Sequence, residues 1–314
     1  MHLQQSSKNY FLLLSLCVLP LLMSCQSGPD EPVAPEGQCT VTFSVSNYRQ
    51  TSFDDLSGTG TSRAMSSYEL ATLAHLLVSV YDAESGTQVI APMQHNHKDY
   101  ENNSYAYPKF SVTLPYGHFR VLVLGYNGSR ECTITSLNHI SWAENYVPNT
   151  FLYQEEFTLN EGSSLNKEIT LRHVVAAFCI TAEDLAPSNL KKMRFVSTAG
   201  GTVLDAMTGF TPQNTGRTSE IDVPAKYFGV IDTFTVYLFL PEEQITTNYT
   251  VQALDKNNAV FCEKHFNDVP LRINYLTEWH GKAFEQGDIE TPDVQGNFNI
   301  QWNKNWADTL KLEP

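Results

Sequence analysis

The chain has 314 residues, of which 42% are apolar, 11% aromatic and 17% charged, a globular composition that excludes wholesale disorder, collagen and coiled coil. Asp and Glu outnumber Lys and Arg by 34 to 20, and the resulting formal charge of −14 repels phosphate backbones, which excludes nucleic-acid binding as the main task. Six Cys are too few to staple a chain this long, so its apolar residues must build the core, and the length suits about two domains.

A polar start carrying Lys8 leads into the thirteen-residue apolar run from Phe11 to Met23. As a helix this run rises about 20 Å, short of a bilayer core of about 30 Å, so it reads as the apolar region of a signal peptide. Leu22-Met23-Ser24-Cys25 looks like a bacterial lipobox. That places the signal peptide at residues 1–24 and makes Cys25 the acylated first residue of the mature chain. Two or three acyl chains anchor stably where one does not. Residues 25–38 form a tether in which three Pro, two Gly and three acids follow Cys25 without an apolar period. No later apolar run is long enough to span a membrane.

From residue 39 onward the chain reads as strands. Thr40 to Ser46 alternates, with Val41, Phe43 and Val45 on one face and Thr40, Thr42, Ser44 and Ser46 on the other. His75 to Tyr81 repeats the pattern, and 82–86 (Asp-Ala-Glu-Ser-Gly) turns the chain into Thr87 to Ile90. Phe110 to Leu114 and Phe119 to Val123, separated by Pro115-Tyr116-Gly117, predict a hairpin. Only Ser66 to Ala74 and Leu185 to Lys192 offer short helical turns. A second set begins at Ile169, with Leu171, His173, Val175, Ala177 and Cys179 on one strand face. Candidate strands follow at Met193 to Thr198, Thr233 to Phe239, Tyr249 to Leu254 and Val260 to Phe266, the last two joined by Asp255-Lys256-Asn257-Asn258, and Phe298 to Trp302 closes the series. Short strands without long helices predict an all-β chain of two tandem antiparallel β-sandwich domains, at residues 39–165 and 166–314. No internal repeat of fixed period is visible.

The chemistry-bearing residues are sparse. No GxSxG, P-loop, GxGxxG, HExxH or EF-hand spacing occurs, and no cofactor or metal is expected. His95 and His97 could aim two imidazoles at one ion from alternate strand positions, but they lack a third ligand nearby and read as a loop. His173 and Cys179, three pleats apart on one strand, are too distant for a nucleophile–base pair. Trp302 and Trp306 could form a sugar-stacking platform, although such residues more often plug the end of a sandwich. Once Cys17 and Cys25 are set aside, Cys39, Cys132, Cys179 and Cys262 have no CxxC spacing and leave three disulfide pairings open.

Several segments taken together resemble the fimbrillin-type lipoproteins of Bacteroidetes, especially their FimB-type minor fimbrial subunits. The matching features are the lipobox at Cys25, FSVSNYRQTSFDD ahead of Thr61-Ser62-Arg63-Ala64 and HLLVSVYDAESG, then FSVTLPYGHFRVLVLGYNG, LRHVVAAFCIT with MRFVSTAGGTVLDAMTGF, and VQALDKNNAVFCEKHFNDVPLRINYLTEWHGKAF. The resemblance implies transthyretin-like sandwiches, an outer-membrane lipid anchor, exposure at the cell surface and assembly with other fimbrial subunits into pili. In polymerising members a trypsin-like protease cuts after an Arg between the first two strands, and a neighbour's strand fills the groove left behind, which is β-strand addition. Here that implies a first strand bearing Val41, Phe43 and Val45 and cleavage at Arg63, in a Ser/Gly/Thr-rich loop that suits a protease. Arg49 is a poorer candidate, being close to the strand end. Anchor-type members keep both lipid and first strand. The expected role is a non-enzymatic fimbrial anchor or accessory subunit contributing to adhesion. The alternative is a free-standing lipoprotein that binds a glycan, host or bacterial surface ligand through Tyr100, Tyr105 and Tyr107. A hydrolase would require a carboxylate pair in a cleft.

Overall fold

A computed structural model describes residues 37–49, 73–100, 108–230, 233–285, 298–301 and 308–312. Within them the strands are β1 (Gln38–Arg49), β2 (His75–Asp82), β3 (Gln88–Asn96), β4 (Lys109–Pro115), β5 (Gly117–Asn127), β6 (Cys132–Ser136), β7 (His139–Trp142), β8 (Asn149–Leu159) and β9 (Leu165–His173). They continue with β10 (Ala176–Ala182), β11 (Lys192–Ser197), β12 (Arg217–Asp222), β13 (Thr233–Leu238), β14 (Gln244–Leu254), β15 (Val260–Arg272), β16 (Tyr275–Gly281), β17 (Phe298–Gln301) and β18 (Asp308–Leu312). The all-β class expected from the sequence holds. Its pairing is mixed, because β1 runs parallel to β9, β10 parallel to β16, and β16 parallel to β18.

The first sheet has the order β3-β2-β5-β8-β9-β1-β4. β8 and β9 are joined only at Phe151–His173 and Leu152–Arg172, so the sheet folds over at that corner into two layers, β3-β2-β5-β8 and β9-β1-β4. Between the layers lies a core of Val41, Phe43, Leu76, Val78, Phe110, Val121, Val123, Phe157, Ile169 and Leu171, among others. The second half repeats this order, with β12-β11-β14-β15 in one sheet and β13-β10-β16 in the facing one, to which β18 and β17 are added. Its core includes Phe178, Ile180, Met193, Phe195, Leu238, Tyr249, Phe266 and Trp279. Each half therefore sets its first strand parallel to the strand that closes its sandwich, β9 or β16.

The stretch expected as one strand from Ile169 to Cys179 is two. The chain leaves the first sheet after His173, crosses at Val174-Val175 and enters the second sandwich at Ala176. His173 and Cys179 thus sit in different sheets. The expected hairpin at Phe110 to Val123 is also not a pair: among the described strands β4 bonds only to β1, and β5 bonds to β2 and β8. Pro115 and Gly117, whose φ is 154°, carry the chain from one layer to the other, and both arms still face the same core. By contrast β2–β3 and β14–β15 are hairpins as expected, the second turned by Asp255 Oδ1, which accepts the N–H groups of Asn257 and Ala259 at 2.8 and 2.9 Å. Among the described residues of Leu185 to Lys192 there is a turn closed by Leu190 N–H to Pro187 O, not a helix.

A third apolar cluster joins the halves. β2 and β5 are buried on both faces, with Leu77, Tyr81, Leu122, Leu124 and Tyr126 pointing away from the first core toward Val174, Val175, Ala177, Cys179, Leu204 and Phe239. The β6–β7 hairpin lies in this cluster, where Trp142 stacks on Phe239 with centroids 5.6 Å apart. Ile140 and Leu204 exchange backbone hydrogen bonds of 2.9 and 2.8 Å, and Ala206 N–H donates to Leu137 O at 2.7 Å. Beside the cluster, Arg120 and Arg172 reach the turn at 205–210, where Nη1 of Arg120 meets Met207 Sδ and Nη2 of Arg172 meets Thr208 O. Gly209, at φ 80°, fits this turn because a Cβ there would lie 2.3 Å from the Arg172 guanidinium.

His173 is a buried polar link in the same junction. Its ring stacks on Phe151 at 4.5 Å and lies against the side-chain amides of Asn149 and Asn274, bringing together β8, β9 and the β15–β16 turn. An amide supplies either donor or acceptor, so both ring nitrogens are satisfied when the imidazole is neutral. Burial lowers its pKa from 6.5 to about 4. The unfolded chain binds this proton below about pH 6.5 while the folded chain does not, so stability is full above that pH and falls as pH drops toward 4. Urea melts at pH 7.5 and 4.5 should show an acid loss that includes up to about 3 kcal/mol from this residue. In His173→Gln the acid loss should shrink by that order, and an unchanged pH difference would refute the assignment.

Candidate functional site

The candidate site is the slot that holds β1. Alternation decides what the strand buries: Cys39, Val41, Phe43 and Val45 point inward at 0–1% exposure, and Thr40, Thr42, Ser44 and Ser46 are half-exposed on the other face. This is the face assignment read from the sequence. Phe43 stands edge-on to Phe157 of β8 across the core, 5.8 Å between centroids. On one side β1 pairs antiparallel with β4, from Gln38–Pro115 to Ser44–Lys109, and Thr42 Oγ1 lies 3.1 Å from Ser111 Oγ. On the other it pairs parallel with β9, from Val41–Leu165 to Arg49–Arg172, with a register shift between Val45 and Asn47. Cys39 Sγ donates to Asn160 O at 3.5 Å, at the turn that leads into β9.

β1 is therefore an interior strand of its layer that is also the first of the described strands. It bonds to partners distant in sequence on both edges, and its only covalent link to the rest of the sandwich is the segment from 50 to 74. If that segment were cut, β1 would be held by its two ladders and its inward side chains alone. Removing it would uncover an apolar groove and leave the inner edges of β4 and β9 unpaired. Burial of a side chain such as Val or Phe is worth about 1.5–3 kcal/mol each, so the groove strongly favours being filled.

Arg63 and Cys25 lie outside the described residues, as do Tyr105, Tyr107, Trp302 and Trp306. Tyr100 is described and is not a free platform, because it is half-buried with its ring 4.7 Å from His95. His95 in turn stacks on Phe110 at 3.9 Å, facing the first core, whereas His97 begins the short 3₁₀ turn after β3. Among the described residues no cluster of three or more His, Cys, Asp or Glu could hold a metal. Cys39, Cys132, Cys179 and Cys262 are all free thiols, and burial pushes Cys132 and Cys179 up to about 12 and raises Cys262 as well.

Elsewhere the second sandwich carries an open cleft of about 430 Å³ lined by Leu185, Pro187, Phe261 and Phe284 with Asp184 and Lys282. Asp184 is already engaged, its carboxylate accepting the backbone N–H groups of Ala283, Phe284 and Glu285 at 2.7, 2.8 and 2.9 Å. Sequence reasoning did not find this cleft or the β6–β7 hairpin. For the hairpin a signal was present, since Cys132, Ile134 and the Leu137-Asn138-His139 turn have the alternation and the turn chemistry of paired strands.

Two outcomes follow from this packing. Phe43→Ala should lower stability by about 3–5 kcal/mol in a urea melt, and a loss below about 1 kcal/mol would show that β1 is not part of the core. Iodoacetamide at pH 8 should label Cys179 at least about tenfold more slowly in the native protein than in urea, read by peptide mass spectrometry.

Residues 36–312 match a family described as a family of unknown function, DUF6562. No curated protein matches the chain. Among solved structures, a candidate adhesin from Bacteroides ovatus is similar at 11% identity and a TM-score of 0.43, covering 77% of this chain and 88% of that one. The tip fimbrial protein Mfa3 from Porphyromonas gingivalis, with a C-terminal truncation, is similar at 12% identity and a TM-score of 0.34, covering 73% and 81%. A candidate cell adhesion protein from Bacteroides eggerthii is similar at 11% identity and a TM-score of 0.37, covering 90% and 100%.

Proposed function

The chain belongs to DUF6562, a family of unknown function, and from that premise we propose that it is a non-enzymatic cell-surface lipoprotein acting as a fimbrial anchor or accessory subunit. The observation that carries the reading is the position of β1, an interior strand that is the first of the described strands, bonded on both edges to strands distant in sequence and followed by one long segment before β2. Such a strand can be replaced by one from a neighbouring subunit with the same alternation, because main-chain hydrogen bonds supply affinity and the pockets of Val41, Phe43 and Val45 supply register. The lipobox-like Leu22 to Cys25 supports tethering to the outer membrane through Cys25, and the Pro- and acid-rich segment after it suits a spacer. The fimbrillin resemblance supports assembly with other fimbrial subunits and a role in adhesion. Arg63 is the proposed cleavage point in subunits that release β1.

The N-terminus of the protein taken from its native cells tests this by intact-mass and peptide mass spectrometry. An acylated Cys25 on an otherwise whole chain is the expected result and marks a subunit that keeps its first strand. A chain beginning at Ala64 would make it a polymerising subunit with an emptied slot. A non-acylated chain starting elsewhere would overturn the anchor. The cleft beside Phe261 and Phe284 favours a second reading, a free-standing binding lipoprotein, which requires saturable glycan or host-ligand binding that Phe261→Ala abolishes.

A further inference from the structure

Arg217 opens β12 at the edge of one sheet of the second sandwich, and its side chain reaches β13 of the facing sheet, where Nη1 donates to Tyr237 O at 2.9 Å. Among the described residues no other acceptor meets this guanidinium, and its Nε is sealed from solvent without a partner. Tyr249, fully buried in the core on β14, has its hydroxyl in the same condition. Tyr249 and Tyr146 lie within electrostatic reach of Arg217, but burial raises both phenols and keeps them neutral, and no carboxylate among the described residues forms an ion pair with it, although the chain holds 34 acids. Burial pulls its pKa down to about 10. A half-buried guanidinium whose Nε is sealed and which has no counter-charge is costly, and buried orphan donors point to an ion or water that completes them.

We propose that Arg217, with the Tyr249 hydroxyl, forms a binding site for a small monovalent inorganic anion of the chloride type. Nη1 is turned to Tyr237 O, which leaves the Nε–Nη2 edge of the guanidinium, the fork that grips an acceptor with two parallel N–H groups. The site neutralises a charge that the fold itself does not pair. Its enclosure selects for size, since both Nε and the Tyr249 hydroxyl are shut away from bulk solvent and a large organic acid would have to open the sandwich. Tyr146 enters from the loop before β8, so the anion sits where the first half meets the second and its occupancy stabilises that meeting.

Thermal unfolding of the whole chain at constant ionic strength tests the site, with sodium gluconate exchanged stepwise for sodium chloride or bromide. The expected result is a saturable rise in Tm, about 2–4 °C at tenfold excess over the dissociation constant. The rise should vanish in Arg217→Met and need several-fold more chloride in Tyr249→Phe. If Arg217→Met does not fold, Arg217→Lys keeps the charge but loses the fork, and it should also need more chloride. Chloride-35 line broadening by the native protein, removed by bromide, reads occupancy without unfolding. Equal Tm in the two salts, or an equal rise in wild type and both milder variants, would overturn the site and leave only a general salt effect.

Discussion

The layer β3-β2-β5-β8 sets the constraint that the rest of the molecule answers, because its central strands are apolar on both faces. A sheet of that kind has no side it can give to water, so each face needs a cover. One cover is the three-stranded layer centred on β1. The other is the second half of the chain, with the β6–β7 hairpin wedged between it and the sheet. The slot that makes β1 interesting for assembly and the junction that fixes the two halves are thus two sides of one sheet. A change that loosens either side exposes apolar surface on the same strands.

The two halves share a strand order without sharing a visible sequence period. Fold repetition here is carried by which positions are apolar and by the parallel pairing of the first strand with the strand that closes each sandwich, and many sequences satisfy both. What each half adds is what differs: the first inserts the β6–β7 hairpin between β5 and β8, and the second appends β17 and β18 beside β16. The hairpin is the piece that bonds to the segment after β11 through Ile140 and Leu204, so the insertion in one copy has become the tie to the other. The polar members of that tie, His173 with Asn149 and Asn274, and Arg120 and Arg172 over the turn at 205–210, set its geometry.

Much of the fold was legible in the sequence, for reasons that also mark where reading stops. β1 alternates from Cys39 to Ser46 because it has one dry face, and the Asp255 turn announces its hairpin through Asx chemistry. β2 and β5 were read by the same alternation, yet HLLVSVYD and RVLVLGYN are nearly continuous apolar runs, which is the signature of burial on both sides. Pro115 and Gly117 state that the chain reverses, but turn chemistry does not say whether the two arms pair or face each other across a core. β8 and β12 are harder to read because the exposed Glu155 and Glu156, on opposite faces of β8, and Glu220 in β12 interrupt their apolar pattern. Of the candidate site, the inward triad Val41, Phe43 and Val45 was legible. Arg217 was not, since its significance is the lack of a partner, which only three dimensions reveal.

The parallel pairing of β1 with β9 has a consequence for how the chain matures. Antiparallel neighbours joined by a hairpin can zip as soon as both are made, but a parallel pair waits for everything between its members. Val41 meets its partner Leu165 only after the seven strands β2 to β8 have been synthesised. Synthesis proceeds at about 5–20 residues per second, so β1 waits seconds for β4 on one edge and longer for β9 on the other, with its apolar face uncovered meanwhile. During that interval its own slot and any other groove of the same shape compete for it. Timing therefore bears on whether the strand closes its own sandwich or another's.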